Sequence, residues 1–393
     1  GYEKNAAGGL LAAGGLGAII SPPVLGAAAF LIAEFLKISY FDVILMATIP
    51  TILYYLGIFI MVELDSAKYG GGQTSLIETG NLWALAKSYW FHFGSLISII
   101  VFMLLGFSPV LSVFWATMLA IAASFLRKDT ALVPPKLIRA LAEGTTGVLN
   151  AATTCASAGI IVGVVTLTGL GLKFSSIAID YAGGSLLLTA IYTALIVWVV
   201  GLAVPVTASY IICAVIAAPA LTKLGVPDYA AHMFIFYYAV LSEVSPPTAL
   251  SPFAAAAITG GNPYLTTLQS WKYTMPAFLV PFVFVLDPQG SALLLQFPKG
   301  LGWLDALEVS LKTAAGIAIL GVAAQGWLFR RNNVIETVLF TFAGLLLVFP
   351  LLVQGIVSSM TGMKFGYTTV IGLAIAMAGA ALQKARGGNV ATT

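Results

Sequence analysis

Between Asp228 and Gly260 the chain reads DYAAHMFIFYYAVLSEVSPPTALSPFAAAAITG, 33 residues of apolar character with an acid, several hydroxyls and three prolines set into the middle. As one helix it would reach about 50 Å, well past a hydrocarbon core of about 30 Å. Proline removes a backbone N–H and crowds the preceding turn, so Ser245-Pro246-Pro247 marks the place where this segment is interrupted. Segment 5–36 is just as over-long and carries the same triplet, Ser21-Pro22-Pro23. Sliding the chain by 224 residues superposes Gly1, Ala6, Ala7 and that triplet on Gly225, Ala230, Ala231 and Ser245-Pro246-Pro247. This is the signature of an internal repeat in which each half owns one discontinuous helix.

A composition of 60% hydrophobic and 8% charged residues excludes a water-soluble globule. Unbroken apolar runs rather than alternating ones point to helices that span a bilayer, not to a barrel. The runs fall at about 5–36, 42–62, 91–107, 109–126, 145–168, 185–222, 228–260, 272–287, 306–329, 334–355 and 366–382. Segment 185–222 is best read as two half-length arms meeting at VVGLAVPVTASY, a re-entrant hairpin. The expected fold is therefore an all-α polytopic membrane protein with inverted repeats, discontinuous helices and one hairpin. Residues 1–90 hold a broken helix and a scaffold helix, 91–290 the second repeat, and 291–393 an extension of about three transmembrane helices.

The net charge of +3 is small and scattered, so nucleic acid is not an expected partner and membrane lipid is. Cys155 and Cys213 lie in apolar runs, and neither His92 nor His232 has a neighbour in sequence that suggests catalysis or metal binding, so no enzyme chemistry and no cofactor are expected. Placing RKDTALVPPKLIR in the cytoplasm puts twelve of the eighteen Lys and Arg residues there, among them Lys4, Lys68, Lys272, Arg330 and Arg386. Lys37, Lys173, Lys223, Lys299 and Lys364 then lie outside. This count requires the two broken helices to run in opposite directions, which makes the repeats inverted.

A helix broken at mid-membrane exposes carbonyls from one half and N–H groups from the other, ligands for a cation and an anionic substrate respectively. Hydroxyls at Ser21, Ser242, Ser245, Thr248 and Ser251 suit a hard ion such as Na⁺, or simply satisfy backbone freed by proline. Glu243 admits three readings: a proton-coupling carboxyl, an acid paired locally, or one in a watery vestibule. Asn150, Thr153, Thr154 and Ser157 face a pathway or join helices.

The blocks GGLGAIISPPVLGAAAFLIAEF and VVGLAVPVTASY through to SEVSPPTALSPFAAAAITG resemble the large permease subunit of tripartite ATP-independent periplasmic (TRAP) transporters, in particular the TAXI branch with fused membrane subunits. The resemblance covers about 1–290. It implies an ion-transporter-superfamily fold working as an elevator in a bacterial or archaeal inner membrane. It also implies symport of a small organic acid with Na⁺ or H⁺, and a periplasmic solute-binding protein that delivers the acid. The ion and substrate region it implies is Gly14, Gly15, Ser21, Pro22, Pro23 and Gly26 in one half. In the other it is Gly201, Pro205, Thr207, Ser209, Ser245, Pro246, Pro247 and Thr248, with Glu243 as the proton-coupling alternative. The first half lacks a hairpin and scaffold matching those of the second, which implies an N-terminal truncation or a small membrane subunit that supplies them. The competing classes are an ion channel and a non-transporting membrane scaffold.

Overall fold

The computed structural model describes residues 2–23, 25–69, 82–297, 300–362 and 366–386. Gly1, Lys299, Lys364 and the side chains of Asn150 and Thr154, all named above, lie outside the described residues. Apart from a single bridge between Trp327 and Arg331, the ordered elements among them are helical. The chain is an all-α polytopic membrane protein.

The first broken helix is α1 (Lys4–Ile20) followed by α2 (Ala28–Leu36), and α3 (Tyr40–Tyr69) comes next as a 30-residue helix. Helices α4 (Leu82–Tyr89), α5 (Phe91–Leu104) and α6 (Pro109–Ser124) form an outlying group in which α5 and α6 pack on each other. Tyr89 donates to Asp129 at 2.9 Å beyond the end of α6, and that bond holds the Asp129 carboxyl below its ordinary value. The long α7 (Pro134–Thr168) and α8 (Leu170–Tyr181) lead to the hairpin, α9 (Leu186–Gly201) and α10 (Val206–Ile216). After the short α11 (Ala218–Thr222) the second broken helix is α12 (Asp228–Leu241), a 3-10 turn at Ser242–Val244, and α13 (Leu250–Thr259). Helices α14 (Pro263–Tyr273) and α15 (Met275–Leu286) close the second half. The extension comprises α16 (Trp303–Gln325), α17 (Val334–Val348), α18 (Pro350–Thr361) and α19 (Thr368–Ala385).

Among the described residues, α3, α16 and α19 are long and apolar enough to cross a membrane singly. Three pairs qualify only together, bent by 64° between α4 and α5, 75° between α7 and α8, and 109° between α17 and α18. The last bend divides a run expected as one span, 334–355. Pro350 lacks the N–H that would continue α17 and instead starts a new helix, with Phe349 in non-helical backbone before it. Similarly, α7 begins at Pro134 rather than near residue 145, because its polar first turns are helical although hydropathy marks only the apolar part. Large apolar side chains face outward over much of the surface, among them Phe59, Val110, Leu167 and Leu304, as a lipid-facing surface requires.

The core lies around α12. Every residue from Ala230 to Leu241 except His232 is buried, so this helix is apolar all round and packs against α9, α10 and α15. Some of the cations expected on one side, Lys68, Arg331 and Arg386, lie where α3 and the extension meet. Lys68 donates to the Gln325 carbonyl at 3.0 Å, Tyr2 to Asp65 at 3.2 Å, and Arg386 to both the Arg331 carbonyl and the buried Glu336. At the opposite end of α3 Asp42, Asp228 and His232 line a cavity of about 550 Å³.

The extension is held to the body and to itself by close helix contacts. A Cβ at Gly316 would lie 2.5 Å from Val348 Cγ2 and 3.0 Å from the Gly344 carbonyl, the separation that only glycine permits between α16 and α17. Gly316→Leu is therefore expected to destabilise the folded protein by about 1–3 kcal/mol through overpacking. Thermal unfolding in detergent reads this directly, and an unchanged midpoint would mean that α16 and α17 part without cost.

Candidate functional site

The two breaks repeat one local geometry at the 224-residue offset. Ser21 Oγ donates to the Gly17 carbonyl at 2.5 Å and Ser245 Oγ to the Leu241 carbonyl at 2.7 Å. The Leu25 N–H reaches the Ser21 carbonyl and the Ala249 N–H the Ser245 carbonyl, at 3.2 and 2.8 Å. Leu25 and Ala249 both sit at positive φ, 52° and 39°. Side chains with a Cβ avoid that region at a cost of roughly 1–2 kcal/mol, so the same strained turn interrupts the helix in both halves.

What surrounds the breaks differs. At the second, the hairpin tip lies directly on the interruption: a Cβ at Gly201 would meet Ser242 Oγ at 2.5 Å, Ser242 Cβ at 2.6 Å and Ser209 Oγ at 3.3 Å. Leu202 to Pro205 make the turn, and Pro205 caps α10 with extended backbone. From the other side Trp271 on α14 donates its indole N–H to Ser245 Oγ at 3.1 Å. At the first break α3 takes this place. Thr51 donates to the Ile20 carbonyl at 2.7 Å, Tyr54 to Ala13 at 2.7 Å and Tyr40 to Pro23 at 3.1 Å. Tyr55 stands 3.3 Å from Ser21 Oγ. Among the described residues no donor reaches the carbonyls of Pro246 or Pro247, the counterparts of Pro22 and Pro23. The second break thus keeps open oxygens where the first has one capped.

The family model described as tripartite ATP-independent periplasmic transporter, DctM component, matches residues 1–290. The chain belongs to that family. No curated protein and no solved structure matches it. This DctM component is accordingly the permease of a secondary transporter, a family of transporters rather than enzymes, and its match ends before α16.

Within the DctM component the structure brings together Gly201, Ser209 and Ser242, with Ser245 one turn further on. Pro246, Pro247 and Thr248 form the turn itself, while Thr207 stands on the first turn of α10. In the first half Ser21, Pro22, Pro23 and Gly26 make the break, Gly26 at φ 67°. Among the described residues, Gly14 and Gly15 are not brought to any partner. Nothing lies within 4 Å of a Cβ built on either, and both are exposed. They belong to a face, with Leu11 and Ala18, whose repeat-related residues Ile235, Tyr238, Ala239 and Ser242 are all buried, Ser242 by the hairpin tip.

Glu243 is half-buried in the 3-10 turn and has no hydrogen-bond or ion-pair partner among the described residues, which leaves the locally paired reading without support. Thr153 and Ser157 of α7 face Pro205 and Ala208 across a cavity of about 260 Å³. Among the described residues no group of three or more His, Cys, Asp or Glu side chains is placed to hold a metal ion, so a coupling ion would have to be held by carbonyls and hydroxyls. The transporters of this family are ion-coupled.

Sequence reasoning missed Thr51, Tyr54, Tyr55 and Trp271. The first three carried a usable signal: TILYY places Thr51, Tyr54 and Tyr55 at i, i+3 and i+4, hence on one face of α3.

Proposed function

We propose that this chain is the permease of a TAXI-type transporter that imports a small organic acid, handed over by a periplasmic solute-binding protein and driven by the Na⁺ gradient. The second break carries this reading. Ser242 and Ser245, the open carbonyls of Pro246 and Pro247, and Thr248 form an all-oxygen neighbourhood suited to a hard monovalent cation. The glycine hairpin tip seals it. The broken helix supplies carbonyls and N–H groups at one depth, so ion and carboxylate are held together and travel together.

The side with Lys68, Arg331 and Arg386 is then cytoplasmic in the inner membrane of a bacterium or archaeon. On this reading the two halves are inverted repeats, residues 1–90 and 91–290, and the body around α12 moves as an elevator. The bare face of α1 at Leu11, Gly14, Gly15 and Ala18 receives a hairpin-like element from outside the described chain, such as a small membrane subunit.

Glu243 supports a second reading, in which its unpartnered carboxyl carries a proton and the driving gradient is H⁺. Uptake by the permease reconstituted with its membrane partner and its binding protein separates the two, with a Na⁺ gradient or a pH gradient imposed alone. The Na⁺ reading expects uptake with Na⁺ only and little loss in Glu243→Gln. Uptake on a pH gradient without Na⁺, abolished by Glu243→Gln, would overturn it. Replacing Pro246 and Pro247 together with Ala should close the turn into helix and lower Na⁺-driven uptake by about tenfold or more, while the protein still inserts.

A further inference from the structure

We infer that Trp271 is a positioning residue for the ion site: its indole N–H occupies one lone pair of Ser245 Oγ, which turns the hydroxyl proton onto the Leu241 carbonyl and leaves the other lone pair for a cation. This rests on reading the second break as the ion site.

The directions of the two hydrogen bonds follow without locating any hydrogen atom. An indole nitrogen only donates, so at 3.1 Å Ser245 Oγ must be the acceptor from Trp271. A serine hydroxyl has one proton and two lone pairs. With one lone pair taken, the remaining neighbour at 2.7 Å, the Leu241 carbonyl, only accepts, so the proton is there. Ser245 is fully buried, which excludes bulk water as a competing partner. Without Trp271 the hydroxyl could swing its proton toward the open side of the break, and an oxygen that presents a proton repels a cation. The indole therefore sets the polarity of a ligand it does not itself provide.

The first break pairs its serine with a different aromatic residue and in the opposite sense. Ser21 Oγ is 2.5 Å from the Gly17 carbonyl and 3.3 Å from the Tyr55 hydroxyl. There the geometry allows only Ser21 to donate to Tyr55, so the tyrosine hydroxyl competes with the Gly17 carbonyl for the serine proton and supplies no donor of its own. The repeat-related counterpart of Trp271 is Ala47, and that of Tyr55 is Leu279. Each half thus sets an aromatic side chain beside the same serine, but only the second break sets a donor there.

Trp198 provides an internal control. Its ring centroid is 5.9 Å from that of Trp271, and its buried indole N–H has no acceptor. The test is Na⁺ titration of the purified full chain against a choline background, read as the Na⁺-dependent rise in unfolding temperature and by calorimetry. Trp271→Phe is expected to raise the half-saturating Na⁺ about three- to tenfold, the worth of one hydrogen bond, and Trp198→Phe to leave it unchanged. Ser245→Ala should weaken Na⁺ at least as much, and adding Trp271→Phe to it should weaken Na⁺ no further. Benzothienylalanine at position 271 keeps the bicyclic shape without the N–H and must reproduce the Trp271→Phe shift even if the smaller ring disturbs folding. Wild-type Na⁺ affinity in both 271 variants, with Ser245→Ala impaired, would overturn the positioning role and leave the ion site standing. No response to Na⁺ in any variant or in the wild type would remove the ion site, and the proposal with it.

Discussion

Gly201→Ala should reduce ion-driven uptake by at least tenfold while leaving insertion and overall fold intact. The added methyl would sit 2.6 Å from Ser242 Cβ and 2.5 Å from its Oγ, and a Cβ cannot rotate out of the way as the end of a long side chain can. The hairpin tip must lift from the break by several tenths of an ångström or Ser242 must leave its bond to the Ala239 carbonyl, now 2.7 Å. On the proposed reading, either change would open the seal over the oxygens of residues 245–248 and add water as a competitor for the ion. An initial-rate uptake assay, with surface expression measured in parallel, decides it. Uptake at the wild-type rate would mean that the hairpin tip and the break do not act as one site.

The second large effect concerns stability rather than transport. Asp65 is buried at the end of α3, where Oδ2 receives hydrogen bonds from Tyr273, from Gln325 Nε2 at 3.0 Å and from Tyr2 at 3.2 Å. Asp65→Ala would leave the buried Tyr273 hydroxyl and Gln325 amide with only their longer contacts, 3.4 Å to the Tyr2 hydroxyl and 3.4 Å to the Met61 carbonyl, and remove one acceptor that joins the extension to the body. Breaking such a network from one side costs about 3–5 kcal/mol. The expected result is a large fall in the unfolding midpoint together with earlier protease access to the 326–333 segment. A change below 1 kcal/mol would show that the apolar contacts of α16 with α3 suffice alone.

The broken helices were legible because proline and helix length are local quantities. Ser-Pro-Pro within a run too long for the bilayer leaves few options, and the 224-residue offset located the same interruption twice. The hairpin was legible for a related reason, since Gly201 and Pro205 punctuate an otherwise apolar stretch. The partners of those features were not. Nothing near Ser245 in sequence points to Trp271, and nothing near Ile20 points to Thr51, because those pairings depend on which way α14 and α3 pack back onto the breaks. Gly14 and Gly15, which the family resemblance places in the ion and substrate region, lie on an exposed face of α1 among the described residues, a burial state that sequence alone does not report. In the extension, hydropathy read 334–355 as one span because apolar content says nothing of the 109° turn that Pro350 permits.

The Asp65 network also sets a schedule for making the protein. Its carboxylate and the Gln325 amide are 260 residues apart in the chain. At ribosomal rates of about 5–20 residues per second, that acid waits roughly 13 to 52 seconds for its partner. During that interval the body can assemble its breaks and hairpin, but α3 ends in an acid that lacks its last donor. A nascent chain arrested before α16 would therefore hold a buried acid one donor short, so the closing of this end of the body is tied to completion of the extension.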